Sequence, residues 1–172
     1  MTGIARALLL VFSAAAICGG CGSSSGSEAT TTAAKPAHAK VSTVALESGV
    51  RMAIGANVRL STYVLWHNRV PAWATQSTRG PALKALRNAA ATRRKQGIQI
   101  KNLAGDYTVS AITLAPSYTT ATATVRSHQR VAPYKAGHRL GKAIVGTDHA
   151  FVRLHRLGNT LRFVVWRVSP IQ

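Results

Sequence analysis

Near the C-terminus, residues 143–168 read AIVGTDHAFVRLHRLGNTLRFVVWRV. The pair Gly158-Asn159 lies between two apolar-rich segments and is typical of a two-residue turn, so it predicts a β-hairpin. A loop of that length fixes the strand register and sets Leu154 opposite Phe163. One face of the hairpin then carries a core surface of Val152, Leu154, Leu161, Phe163 and Val165.

The opposite face of this hairpin combines apolar and basic side chains. The predicted register pairs Phe151 with Trp166 at one end, beside Val164. Near the turn the face carries three basic side chains: Arg153, His155 and Arg162. Because the sheet is apolar on both faces for part of its length, it needs a second cover. That cover is a helix, a curl of the sheet or another subunit.

The segment before the hairpin also alternates with a period of two residues. From Gly97 onward apolar and polar residues alternate up to Leu114, and Pro116 interrupts the pattern. Thr119–Val131 resumes the alternation and predicts another strand. Residues 132–142 contain Pro133, Gly137 and Gly141 and are interpreted as a loop.

The first half of the domain has helical periodicity instead. Between Val41 and Asn68 an apolar stripe predicts a long helix with a bend at its glycines, ended by Pro71: Leu46, Val50, Ile54, Val58 and Leu65. A second helix is expected after a connector over residues 70–78, with Ser77 or Thr78 as its cap and Pro81 in its first turn. It ends at Gly97 after three cations that oppose the negative end of the helix dipole: Arg93, Arg94 and Lys95. The fold class is therefore α+β, with helices packed on a curved antiparallel sheet.

Composition excludes several classes of function. The chain has 172 residues with 22 Lys and Arg against 4 Asp and Glu, a net charge of +18. Four carboxylates are too few for a Ca²⁺ cage or a two-metal site, and scattered histidines lack zinc-ligand spacing. We expect no metal and no cofactor. The length suits one domain, and the 47% hydrophobic content suffices for a packed core.

The N-terminus is typical of an export signal. Arg6 precedes an apolar run of signal-peptide length, shorter than the roughly 20 residues that span a bilayer. Gly19-Gly20-Cys21 followed by Ser and Gly resembles the lipobox of bacterial lipoproteins, which implies acylation of Cys21, although Cys18 stands where that family has Leu. An ordinary signal cut after Ala16, or an uncleaved anchor, remains the alternative. We expect a signal peptide over residues 1–20, a flexible tether over 21–40 and a folded domain over 41–172.

The order of elements resembles the nuclear transport factor 2-like superfamily, and within it small actinobacterial envelope lipoproteins and mammalian-cell-entry-associated proteins. Two helices precede long antiparallel strands, and the similar stretches include Thr78–Leu83 and the closing Arg162–Val168. The resemblance implies a cone-shaped fold, a pocket at its mouth and dimers formed through the sheet. Catalytic members place an Asp base or an Asp–His pair in that pocket. Asp148 and His149 are adjacent on a strand and point to opposite faces, so no catalytic residue is assigned.

Two sets of site residues follow. Aromatic side chains near the end of the first helix are candidates for a pocket mouth: Tyr63, Trp66, His67 and Trp73. The basic residues Arg153, His155 and Arg162 are candidates for a binding surface. Leaving out Arg6, Lys35, Lys40 and Glu28, the domain retains 19 basic and 3 acidic residues, a net charge of +16.

These features predict a non-enzymatic lipoprotein anchored on the outer side of the cell membrane. Its basic surface would contact anionic lipid, a wall polymer or an envelope protein complex, whereas nucleic acid does not fit the exported location. The alternative is a carrier of a small hydrophobic ligand in the cone pocket, and an enzyme comes third. Homodimerisation through the sheet is a further expectation.

Overall fold

The computed structural model describes residues 42–171, and the predicted signal peptide, Cys21 and tether lie outside them. The first helix, α1, spans Thr43–His67 and buries one apolar stripe, which includes Leu46, Val50 and Ile54. It ends because Asn68 adopts a left-handed conformation (φ 52°), from which its N–H reaches the carbonyl of Val64 at 3.0 Å. The helix therefore stops before Pro71. Within residues 42–171, neither helix combines the length and the apolar content that crossing a bilayer requires.

A short 3₁₀ helix, Ala72–Gln76, connects α1 to α2, which spans Gly80–Gln96. Gly97 adopts the left-handed conformation expected at the C-terminus of α2. The predicted cap at Ser77 or Thr78 is wrong, because Arg79 occupies the N-cap position without a side-chain cap bond. Both residues are buried for a different reason. The segment Ser77–Arg79 forms a parallel bridge to Val165, with two N–H···O bonds of 2.8 and 2.9 Å.

The sheet has five antiparallel strands. They are β1 Ile98–Leu114, β2 Thr120–Lys135, β3 His138–Arg139, β4 Ile144–Arg156 and β5 Phe163–Pro170. The strand order is β1-β2-β4-β5, with β3 paired to β2, so the sheet is open and has β1 and β5 at its edges. The predicted loop over 132–142 is wrong in part, since β2 continues to Lys135 and the two-residue β3 folds back on it.

The predicted register of the last hairpin is wrong by two residues near the turn and by three from Arg153 onward, where Phe151 pairs with Ser169 rather than with Trp166. Leu154 pairs with Val165 rather than Phe163, and His155 pairs with Val164 rather than Arg162. The loop has four residues, because Leu157 N–H bonds to the Arg162 carbonyl (2.8 Å). The Thr160 hydroxyl, which donates to the Leu157 carbonyl at 2.7 Å, holds this wider loop. Near the turn, the shift of two residues leaves the two faces of each strand unchanged.

The core consists of two apolar clusters. One lies between α1 and the sheet, where Val50 and Ile54 pack on Ala123, Val152 and Val165. The other lies between the helices and includes Leu60, Val64, Leu83 and Leu86. Both clusters are formed by residues within the described segment 42–171.

Candidate functional site

The two faces of the sheet differ sharply, and β4 shows this most clearly. Ala150, Val152 and Leu154 are buried against the α1 side, whereas the intervening Phe151 and Arg153 are exposed. We call the α1 side the inner face and the opposite side the outer face. Each face offers a candidate site, and the two sites differ in chemistry.

The inner face and α1 enclose a cavity of about 70 Å³. Apolar side chains form most of its wall, including Ile54, Val58 and Val152. Ser127 and Asp148, paired across β2 and β4, supply polar groups. Burial raises the pKa of the Asp148 carboxyl, and the charge of His149 lowers it by a smaller amount. The cavity thus presents one carboxyl group in apolar surroundings.

The predicted aromatic pocket does not form as one site. None of its four residues lines the cavity under α1. Tyr63 and Trp73 meet edge to face at 5.9 Å and line an open groove of about 590 Å³ beside α1. The His67 ring contacts that of Tyr63 in a tilted arrangement, with centroids 4.1 Å apart. Trp66 lies elsewhere, against Tyr134 of β2.

The predicted basic surface is also divided. Arg153 is exposed on the outer face, whereas Arg162 lies at the groove beside α1. His155 is half-buried because its ring stacks on Trp166 with centroids 4.5 Å apart and planes 12° apart. Trp166 in turn lies against Gly80 at the start of α2, where an added Cβ would come within 2.7 Å of the indole. The start of α2 therefore covers part of the outer face of the hairpin, at Trp166.

The structure adds basic residues that the sequence analysis missed. The exposed outer-face side chains of β2, β4 and β5 include Arg126, His128, Arg130, His149, Arg153 and Arg167. The sequence pattern that could have identified those on β2 is the alternation in Thr120–Arg130, where every second residue is Thr, Arg or His. Pairing then sets Arg126 beside His149 and Arg153 beside Arg167, which no single strand reveals.

Carboxylates are nearly absent from this face. Of the three in the domain, Asp148 faces the cavity and Glu47 lies on α1. Only Asp106, opposite His128, shares the outer face.

Arg93, the first of the three cations that end α2, is not a surface residue. It is 8% exposed, with its Nε donating to Asn68 Oδ1 at 3.4 Å, and burial lowers its pKa.

The described part of the chain contains neither a cluster of metal-binding side chains nor an Asp–His pair formed by Asp148 and His149. Within residues 42–171, no three His, Cys, Asp or Glu side chains group closely enough to hold a metal ion. Asp148 and His149 project from opposite faces of β4, as their adjacency predicts. The outer face, on which three strands expose arginines, offers guanidinium groups that can donate hydrogen bonds to an anion.

The similarity of this chain to known proteins is one of fold only. No family model matches the chain, and no curated protein matches it. Among solved structures, the intermembrane space region of the chloroplast protein ARC6 matches with a TM-score of 0.61 at 11% identity, over 71% of this chain and 93% of that one. A conserved protein from Planctomyces limnophilus gives 0.47 at 17% identity, over 73% and 97%. Aln2 from a Streptomyces species gives 0.45 at 12%, over 72% and 90%.

Proposed function

We propose that this chain is a non-enzymatic envelope module whose outer sheet face binds the anionic surface of a membrane. The observation that carries the proposal is that β2, β4 and β5 all expose arginines on the same face, with Asp106 as the only carboxylate on that face among residues 42–171. Near an anionic bilayer each such cation contributes about 1 kcal/mol. Several such cations together give the domain an affinity for the bilayer, and added salt weakens that affinity because it screens the charges.

Apolar side chains on the same face favour a bilayer over a soluble polyanion. Val145 is 59% exposed and lies opposite Arg130 of β2. Phe151 is 42% exposed and lies two residues from Arg153 on the same face of β4. A wall polymer would use the arginines alone. A bilayer also offers an interface in which aliphatic and aromatic side chains lose contact with water. An anchor at Cys21 would hold the face beside the membrane and act as the second membrane signal.

The finer fold assignment belongs to the same proposal. We infer a nuclear transport factor 2-like domain with cone-like curvature, supported by the order of elements and by the ARC6 region. The location on the outer side of the cell membrane, lipidation of Cys21 and a homodimer formed through the sheet also stay proposals. Two outer faces brought together would oppose their arginines, so such a dimer would need a different surface.

Vesicle binding tests the proposed function. The chain from Gly22 to Gln172, which includes every residue of the two apolar clusters, is titrated with vesicles of phosphatidylglycerol in phosphatidylcholine and with phosphatidylcholine alone. We expect binding only to the anionic vesicles, with an affinity that falls steeply as NaCl rises.

A matched pair of variants locates the surface. Arg126→Gln with Arg130→Gln removes two charges from the outer face, and Lys84→Gln with Arg87→Gln removes two exposed charges from α2. The first should weaken binding about 30-fold, at about 1 kcal/mol per charge, and the second only slightly. Equal losses would mean that net charge acts without a defined face. No binding to anionic vesicles would refute the proposal.

The cavity under α1 supports a second candidate function, the binding of a small apolar molecule. Its wall is mostly apolar, and Asp148 supplies a hydrogen-bonding group. Its 70 Å³ is well below the roughly 300–1,000 Å³ of ordinary ligand pockets, so α1 would have to move away from the sheet. Native mass spectrometry of the protein released from its own envelope tests this: a bound molecule at fixed stoichiometry supports the carrier function, and an empty protein contradicts it.

A further inference from the structure

An irregularity in β5 brings Arg167 to the outer face. Between Leu154 and Arg153 the pairing shifts by one residue: Leu154 pairs with Val165, but Arg153 pairs with Arg167. Trp166 is therefore the extra residue of a β-bulge. Without the bulge, Trp166 would pair with Arg153 and Arg167 would fall on the inner face. A bulge re-aims side chains in this way, and such irregularities are over-represented beside binding sites.

The pair that the bulge creates is unfavourable in the free protein. Arg153 and Arg167 lie directly opposite each other on neighbouring strands, and like charges in that position destabilise a sheet. Both side chains are exposed, and Asp106, the outer-face carboxylate, lies on β1, three strands away from Arg167 on β5. The stack of His155 on Trp166 and the contact of Trp166 with Gly80 hold the bulge in place. The fold thus maintains two adjacent cations, and none of the three carboxylates of residues 42–171 lies beside them on the outer face.

A shallow depression of about 140 Å³ lies at this pair. Its lining consists of the two arginines, Ser169 and Phe151. Ser169 is the cross-strand partner of Phe151, so a hydroxyl and an aromatic ring stand side by side next to the two guanidinium groups. Guanidinium groups bind phosphate oxygens through paired hydrogen bonds, and a hydroxyl can donate a further one. The ring supplies an apolar contact for whatever the phosphate is attached to.

We propose that Arg153 and Arg167 form a binding site for the phosphate group of an anionic phospholipid, a proposal that rests on the membrane-binding role of the outer face. The phosphate lies between the two guanidinium groups and accepts a hydrogen bond from the Ser169 hydroxyl. Phe151 contacts the glycerol and the start of the acyl chains. The lipid is favoured over free phosphate because the ring beside the arginines would otherwise have no apolar partner.

The decisive experiment compares two double variants with the same loss of charge on the same face. In the chain from Gly22 to Gln172, Arg153→Gln with Arg167→Gln is measured against Arg126→Gln with Arg130→Gln by titration with phosphatidylglycerol vesicles. The second variant loses about 30-fold from long-range attraction alone. The first should lose at least a further tenfold, because it also loses direct hydrogen bonds to phosphate.

A second measurement uses inorganic phosphate as the probe. At fixed ionic strength, replacing chloride by phosphate should raise the thermal midpoint of the wild type and of the Arg126/Arg130 variant, but not that of the Arg153/Arg167 variant. If the two variants lose vesicle binding equally and phosphate stabilises neither the wild type nor the Arg126/Arg130 variant more than the Arg153/Arg167 variant, the phosphate site is refuted while the membrane-binding face stands. If neither the wild type nor any variant binds vesicles, the proposed function fails as well. A phosphate effect that depends on the pair, without a selective loss of vesicle binding, would assign the site to free phosphate and overturn the lipid.

Discussion

The inner and outer faces of β4 are made by the same thirteen residues and have different roles. The inner residues Ala150, Val152 and Leu154 are buried among the apolar side chains of α1 and β2. The outer residues Phe151 and Arg153 are exposed and make up half of a depression lined by arginines. Because successive side chains alternate between the faces, stability and binding chemistry are separated by a single residue. Substitutions on one face should therefore leave the property of the other face nearly unchanged.

The largest effect is expected on the inner face. Leu154 is fully buried, so Leu154→Ala should lower the free energy of unfolding by about 2–5 kcal/mol through lost burial and the cavity left behind. On the outer face of the same strand, Val145→Thr should change it by less than about 0.5 kcal/mol, since Val145 is 59% exposed. Urea denaturation measures both. Similar costs for the two would show that the faces are not distinct in the way described.

A pH dependence is the next effect expected, and it also belongs to the inner face. Burial raises the pKa of Asp148, so its neutral form is favoured in the folded protein. Its contribution to stability is therefore complete below the pKa of the unfolded chain, about 3.9, and is lost as pH rises through the higher folded value. The variant Asp148→Asn has no carboxyl to ionise at this position, so it does not suffer this loss of stability as pH rises.

Urea denaturation of the wild type and Asp148→Asn across this range tests the linkage. Relative to the wild type, the Asn variant should become more stable as pH rises from about 4 to neutrality. A stability difference that does not vary with pH would mean that Asp148 is as well solvated in the folded chain as in the unfolded one.

The smallest effect is expected on the outer face, and its sign is opposite to that of the core substitution. Arg153→Gln relieves the repulsion from Arg167, so it should raise the free energy of unfolding by a few tenths to about 1 kcal/mol at low salt. The gain should disappear in about 0.5 M NaCl, where exposed charges are screened. If Arg153→Gln destabilised the protein at low salt, Arg153 would be making a favourable contact and the unfavourable pair would not exist.

Much of the fold could be predicted from local patterns. The apolar stripe of α1, Pro81 and Gly97 at the ends of α2, and the alternation of the strands are each visible within a few residues, and the structure confirms them. The hairpin register could not be read in this way. Gly158-Asn159 is a good two-residue turn, but the hydrogen bonds of Thr160 and Arg156 to loop carbonyls favour four residues.

The candidate site was predicted only in part, for a related reason. Arg153 was identified because it lies near the turn. Arg162 was grouped with it as a strand residue, but β5 begins only at Phe163, and Arg162 lies at the groove beside α1. Tyr63 and Trp66 are three residues apart on α1, which sets their side chains only about 60° apart around the helix axis. They nevertheless meet different partners, because Tyr63 contacts Trp73 of the connector and Trp66 contacts Tyr134 of β2.

By itself, the sequence determined the order of helices and strands, the positive charge of the domain and the two faces of each strand. Those properties depend on periodicity and composition, which are local. Only the tertiary structure decided which arginines become neighbours. The partner of Arg153 depends on a bulge at Trp166, and that bulge depends on contacts with His155 and Gly80, which are distant in sequence. Side-chain alternation survives a register shift of two residues, whereas the identity of a cross-strand partner changes with every shift.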